Sequence, residues 1–189
     1  MDMKGIIILL ALAAFPVRTL ADVIYSRNRM GNGVVVSLEA VASRESPFGQ
    51  GKSVDLWAGL GLVSPVDEME HPSYGIEAAV ELRDYISRKG MRGFNAGAYV
   101  GLALMRNPVV RQGRVERYGS TIGFVPGAKL TYKVPSSGRF FWEPYAGLSF
   151  PVYGRLDDAG EAEDPKLVVT LGMRLGLGTA NRDTSRGRP

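Results

Sequence analysis

Between Tyr74 and Arg106 apolar and polar side chains alternate with a period of two. Ile76, Ala78, Val80 and Leu82 fall on one face, and Gly75, Glu77, Ala79, Glu81 and Arg83 on the other. After a turn at Ser87 to Gly93, Phe94, Ala96, Ala98, Val100, Leu102 and Leu104 alternate with Asn95, Gly97, Tyr99, Gly101, Ala103 and Met105. The pattern predicts a long antiparallel hairpin. The same period recurs along the chain. Val34, Val36, Leu38 and Ala40 oppose Val35, Ser37, Glu39 and Val41. Val54, Leu56, Ala58, Leu60 and Leu62 oppose Ser53, Asp55, Trp57, Gly59 and Gly61. Ile122, Phe124, Pro126, Ala128 and Leu130 oppose Thr121, Gly123, Val125, Gly127 and Lys129. Phe140, Trp142, Pro144, Ala146, Leu148 and Phe150 oppose Phe141, Glu143, Tyr145, Gly147 and Ser149. Leu167, Val169, Leu171, Met173, Leu175 and Leu177 oppose Thr170, Gly172, Arg174 and Gly176. A weaker alternation over Asp22 to Met30 supplies an eighth strand, the even number that a barrel with both ends on one side requires.

Between these strands the sequence predicts a tight turn at Gly31-Asn32-Gly33 and a Pro/Gly connection from Arg44 to Gly51. Further connections are expected at Val63 to Ser73, Ser87 to Gly93, Arg106 to Tyr118, Pro135 to Gly138 and Tyr153 to Pro165. Pro126 cannot donate to a ladder and suggests a bulge.

A soluble sandwich would also alternate, with its apolar face inward. Long strands, and a polar face that mixes glycine and small residues with isolated charges, favour a closed barrel in lipid. Energetics decides which face meets the lipid. Turning the strands over would expose Glu39, Asp55, Glu77, Glu81, Arg83, Lys129, Glu143 and Arg174, and a basic residue alone costs about 2–4 kcal/mol at the midplane. The apolar set is therefore expected outward. Its aromatics gather near strand ends: Phe94, Tyr132, Phe140 and Trp142 at one, Phe124 and Phe150 at the other, as in two girdles. The eight charged residues, with Trp57, Tyr99 and Tyr145 among them, are expected to form a paired network that plugs a narrow lumen.

A chain of 189 residues suits one domain, and its 24 glycines fit the polar face just described. No stretch beyond the N-terminus has about 20 consecutive apolar residues, so any crossing falls to strands. Lys4, the apolar run Gly5 to Phe15 and the small residues of Thr19-Leu20-Ala21 read as a secretory signal peptide over residues 1–21. The alternative, an anchored helix, suffers from too short an apolar run. The barrel then occupies 22–178 and a polar disordered tail 179–189. There is no cysteine, so an exported chain would be held without disulfides. The net charge of +4 includes Arg182, Arg186 and Arg188 of the tail, and no nucleic-acid binding is read from it.

The chain resembles small bacterial outer-membrane β-barrels, the eight-stranded OmpA/OmpX-like and opacity-type proteins. The likeness rests on Gly75-Ile-Glu-x-x-x-Glu-Leu-Arg-x-Tyr85, on Gly93-Phe-x-x-Gly-x-Tyr-x-Gly101, and on Phe140-Phe-Trp-Glu-Pro-Tyr-Ala-Gly-Leu148. It covers roughly Val34 to Gly178 and implies an all-β, eight-stranded antiparallel up-and-down transmembrane β-barrel in the bacterial outer membrane, with no particular activity. The C-terminus departs from that family. Such barrels usually end the last strand on an aromatic residue, whereas this chain runs past Leu177 into a polar tail.

Candidate chemistry is sparse. His71, the one histidine, stands in His71-Pro72-Ser73, and with Glu77 or Glu81 it is similar to the His-Ser-Glu set of lipid A deacylases. Pro72 replaces the open spacer, and the motif is mid-chain, so a solvated loop histidine is the competing account. Gly49-Gln-Gly51-Lys52-Ser53 imitates the end of a P-loop, but the glycine required five residues before Gly51 is Ser46, and Ser53 opens a strand instead of a helix. No metal-ligand spacing exists, and the acidic loop Asp157 to Asp164 does not match an EF-hand. The leading expectation is a non-enzymatic outer-membrane protein with no cofactor and no catalytic residue. Its partners would be membrane lipid and surface ligands met by its outer loops. The alternatives are a lipid A deacylase-like hydrolase and a soluble periplasmic β-barrel that binds an apolar ligand.

Overall fold

The computed structural model describes residues 21–27, 35–65, 71–87, 91–134, 140–159 and 167–177. The expected signal peptide (apart from Ala21), the Gly31 turn, the Pro135 turn and the polar tail lie outside them, as does most of the acidic loop. The strands are β1 (Ala21–Arg27), β2 (Val35–Gly49), β3 (Lys52–Pro65), β4 (Ser73–Tyr85), β5 (Gly93–Arg111), β6 (Arg114–Lys133), β7 (Phe140–Ser149), β8 (Val152–Arg155) and β9 (Val168–Leu177). Both β7 and β8 pair with β6, so they are two pieces of one strand. The fold is all-β: one antiparallel up-and-down sheet of eight strands. The weakly patterned β1 takes its place in it, pairing with β2 on one side and β9 on the other.

Three expectations about connections are corrected. The stretch Arg44 to Gly51 is not a loop: β2 runs to Gly49 and turns back at Gln50 and Gly51 into β3. Pro47 is tolerated there because β1 pairs with β2 only as far as Glu39, which leaves Pro47 on an edge. The stretch Arg106 to Tyr118 is a ribbon whose strands continue to a two-residue turn at Gln112 (φ 50) and Gly113 (φ 74). Two successive positive φ angles are those of the turn whose twist matches paired strands. Third, Tyr153 to Arg155, expected to begin a loop, belong instead to β8, which pairs with Thr121 to Phe124.

No register shift occurs at Pro126, which pairs with Val100 in step. The expected bulge is replaced by a break in the neighbouring strand. Phe150 and Pro151 separate β7 from β8, and the Phe150 amide donates to the Pro126 carbonyl at 2.9 Å. Both pieces keep one register against β6.

One end of the sheet carries the connections at 50–51, 86–92 and 134–139, and will be called the turn end. The other, the loop end, carries those at 28–34, 66–72, 112–113 and 156–167. The faces of the sheet are inverted relative to a water-soluble core. Along β4 the burial alternates so that Glu81, Arg83 and Tyr85 are buried while Val80 and Leu82 are exposed, Leu82 at 55%. Leu60, Val100, Leu102, Phe124, Leu130 and Leu171 are likewise exposed. Among the described residues no helix is long and apolar enough to cross a membrane.

Candidate functional site: a buried charge cluster

The alternation of β2 to β9 delivers to the buried face every second residue of each strand, and near the turn end those residues include most of the chain's buried charged groups. Arg83 on β4 is the hub. Its Nη1 lies 2.9 Å from Glu143 Oε1 on β7, and its Nη2 lies 2.9 Å from Glu81 Oε2 and 3.0 Å from Asp55 Oδ2 on β3. A fourth carboxylate, Glu45 on β2, stands 3.8 Å from Nη1. Three further cations complete the set. Lys129 on β6 reaches Glu81 Oε2 at 2.9 Å, Arg174 on β9 reaches Asp55 Oδ2 at 3.4 Å, and Lys133 pairs with Glu45. Four carboxylates thus meet four cations, and this balance is what allows ions to be buried at all.

Aromatic rings fill the space between the ions. Lys129 lies 5.7 Å from the Tyr99 ring centre and 5.3 Å from that of Tyr145, while Arg174 lies 5.9 Å from Trp57. These separations are in the range of cation–π attraction. The rings have room because the residue paired with each Tyr is a glycine. Gly127 is opposite Tyr99 and Gly172 opposite Tyr145, and a Cβ on either would run into the ring. Glu45 is further held by the Ser53 and Tyr85 hydroxyls, each donating to Oε1 at 2.6 Å.

The sequence-expected residues Asp55, Glu81, Arg83, Lys129, Glu143 and Arg174 come together here. Glu39 and Glu77 share the buried-facing row but lie closer to the loop end, where Glu39 packs beneath Gly61 and Glu77 approaches Gly101. Glu45, Ser53, Tyr85 and Lys133 are participants that the sequence reading did not assign to the network. Their signal was present in parity: Glu45 continues the series Glu39, Val41, Ser43, and Lys133 continues Lys129, Thr131.

The His71, Ser73 and Glu81 grouping is not assembled. Glu81 is eight residues along β4 from Ser73, about 26 Å at the usual strand rise, and its carboxylate is engaged by Arg83 and Lys129. Glu77, midway, is still about 13 Å from Ser73 by the same rise. Lys52 and Ser53 open a strand rather than a helix, which removes the helix N-terminus a phosphate loop relies on. Among the described residues no group of three or more His, Cys, Asp or Glu is placed to hold a metal ion. The cluster combines paired charge, hydroxyl donors and packed rings on the buried face of the sheet. No family model, curated protein or solved structure matches this chain.

Proposed function

We propose that this chain is an outer-membrane β-barrel protein of eight strands, exported by a signal peptide and similar in kind to small OmpA/OmpX-like barrels. It acts without catalysis, structurally and through the connections at its loop end. The observation that carries the reading is the inverted sheet: ionised residues buried, leucines, valines and aromatics exposed. In water that arrangement would forfeit most of the hydrophobic driving force; in lipid it is the required one. The soluble-barrel alternative needs the apolar face inward, the reverse of the observed burial.

Closure into a barrel is supported by the pairings, which lead from β1 through β2 to β7 and by β9 back to β1. A row of paired residues does not return to its own level. From Ser37 through Val63 it meets β4 at Ser73. Followed the other way through Ile24, Gly172, Tyr145, Thr131 and Asn95, it meets β4 at Tyr85, the opposite end of the strand. Such a stagger is what tilted strands in a closed barrel produce.

An eight-stranded barrel is filled by its own side chains, and the Arg83 cluster is that filling, so the lumen is a plug and not a wide pore. With the turn end in the periplasm, the start of β1 and the end of β9 lie on the periplasmic side and the overhanging β5–β6 ribbon faces outward. Membrane fractionation followed by unheated and boiled gel mobility tests the proposal. Outer-membrane recovery with heat-modifiable migration is expected. A folded monomer recovered in the aqueous periplasmic fraction without detergent would overturn it.

A further inference from the structure

On the exposed face of β2 to β5, near the loop end, lies a groove of about 610 Å³, within the size range of ligand sites. Two paired rows form it. Ala40, Leu60, Ile76 and Leu104 stand in one register row, and Leu62, Tyr74 and Arg106 in the next. Between them runs the Gly61–Gly75 pair, whose positions face the other side of the sheet, so only backbone separates the two rows on the exposed face. Glu39 reaches the groove only from the buried face.

Arg106 is the one cation lining this groove, at its loop-end margin. It is exposed, and among the described residues it has no ion-pair partner, in contrast to Arg111, which pairs with Glu116. Ser120 stands opposite it in register. Beside it Tyr74 and Tyr118 meet edge to face with ring centres 5.3 Å apart, the kind of aromatic pair found at headgroup level. An apolar trough with a lone cation at its headgroup end is complementary to a molecule that carries a hydrocarbon chain and an anion.

We propose that this groove holds one acyl chain of a phosphate-bearing bilayer lipid, with its phosphate on Arg106. The site rests on the membrane reading above and gives it a specific lipid partner. The chain lies over Leu60, Ile76 and Leu104; Arg106 neutralises the phosphate, and the Tyr74 and Ser120 hydroxyls are within the same headgroup layer.

Native mass spectrometry of the full chain in detergent tests it, with dioleoyl phosphatidylglycerol as probe and dioleoylglycerol as the control that lacks phosphate. One phosphatidylglycerol is expected to be retained in preference to dioleoylglycerol. Arg106→Ala should weaken that retention about fivefold, the effect of one basic residue at an anionic surface, while Arg106→Lys keeps most of it. Ala40→Phe, which fills the trough and leaves Arg106 in place, should also weaken it. Equal retention by all variants, equal retention of dioleoylglycerol, or displacement of the lipid by millimolar inorganic phosphate would each overturn the site. Heat-modifiable mobility, measured on the same samples, keeps the two questions apart: unaltered mobility with no selective lipid leaves the barrel standing and removes only the groove's ligand.

Discussion

Arg83 carries the most consequence of any single side chain. It touches Glu45, Asp55, Glu81 and Glu143 from a position only 3% exposed. Replacing it by methionine keeps much of the volume but leaves buried carboxylates short of a counter-charge, which is expected to cost about 3–5 kcal/mol. Urea unfolding of the detergent-folded protein measures this, and a change of under about 1 kcal/mol would mean that the cluster does not stabilise the fold in the way described. Lys133→Met should cost clearly less in the same experiment, because the Lys133 side chain is 20% exposed and Glu45 retains Ser53, Tyr85 and Arg83. At this scale the sequence was informative where parity ran unbroken. Asp55, Glu81, Arg83, Lys129, Glu143 and Arg174 could be placed on one face by counting in twos. Glu45 escaped because Pro47, Gly49 and Gly51 follow it closely, and those residues usually punctuate a chain. Nothing local announces that Pro47 falls on a strand edge, since that depends on where β1 stops pairing.

Among the elements, the β5–β6 hairpin departs furthest from its sequence pattern. β4 pairs with β5 only up to Arg106, and β8 pairs with β6 only from Thr121, so residues 107–119 form a ribbon whose backbone ladder is its own two strands and turn, with the Tyr118–Tyr74 ring contact at its base. Isolated two-stranded ribbons are marginal, which makes the turn decisive. Gly113→Val places a branched side chain at a φ of 74°, a conformation that costs such a residue roughly 1–2 kcal/mol. The expected outcome is faster trypsin cleavage at Arg111 and Arg114 with unchanged heat-modifiable mobility. Loss of the mobility shift would show instead that the ribbon supports the whole sheet. A second element-scale test concerns the ring-over-glycine pairs. Gly127→Val drives a side chain into the Tyr99 ring, with overpacking expected to cost about 1–3 kcal/mol; urea unfolding beside wild type reads it, and Tyr99→Ala in the same chain should recover part of the loss. Polar composition hid this ribbon: Asn107, Arg111, Gln112 and the residues around them look like loop because no neighbouring strand pairs with the overhang. The two-period that identified the other strands arises only where one face is covered.

For the whole molecule the question is which solvent the exposed apolar face was selected for, and alternation by itself does not answer it. A soluble sandwich and a membrane barrel share the same period, and what separates them is the direction in which the charged set points. The sequence supported one direction through the cost of presenting Glu77, Glu81, Arg83 and Lys129 to lipid, and the structure buries Glu81, Arg83 and Lys129 and partly buries Glu77. The decisive comparison is a charge placed on the opposite face. Val100 lies midway along the part of β5 between Phe94 and Arg106, is 48% exposed, and faces away from the cluster. If that face meets hydrocarbon, Val100→Arg should destabilise the inserted protein by about 2–4 kcal/mol, the cost of arginine near a bilayer midplane. If the face meets water, the same change is a surface substitution and should fall within about 0.5 kcal/mol. Denaturant titration of the folded protein in phosphatidylcholine vesicles separates the two, because the expected ranges do not overlap. An arginine at Arg106, near the loop end of the same face, already belongs to the chain. A large penalty at Val100 together with tolerance of Arg106→Ala in overall stability would therefore trace the depth profile of the bilayer along a single strand.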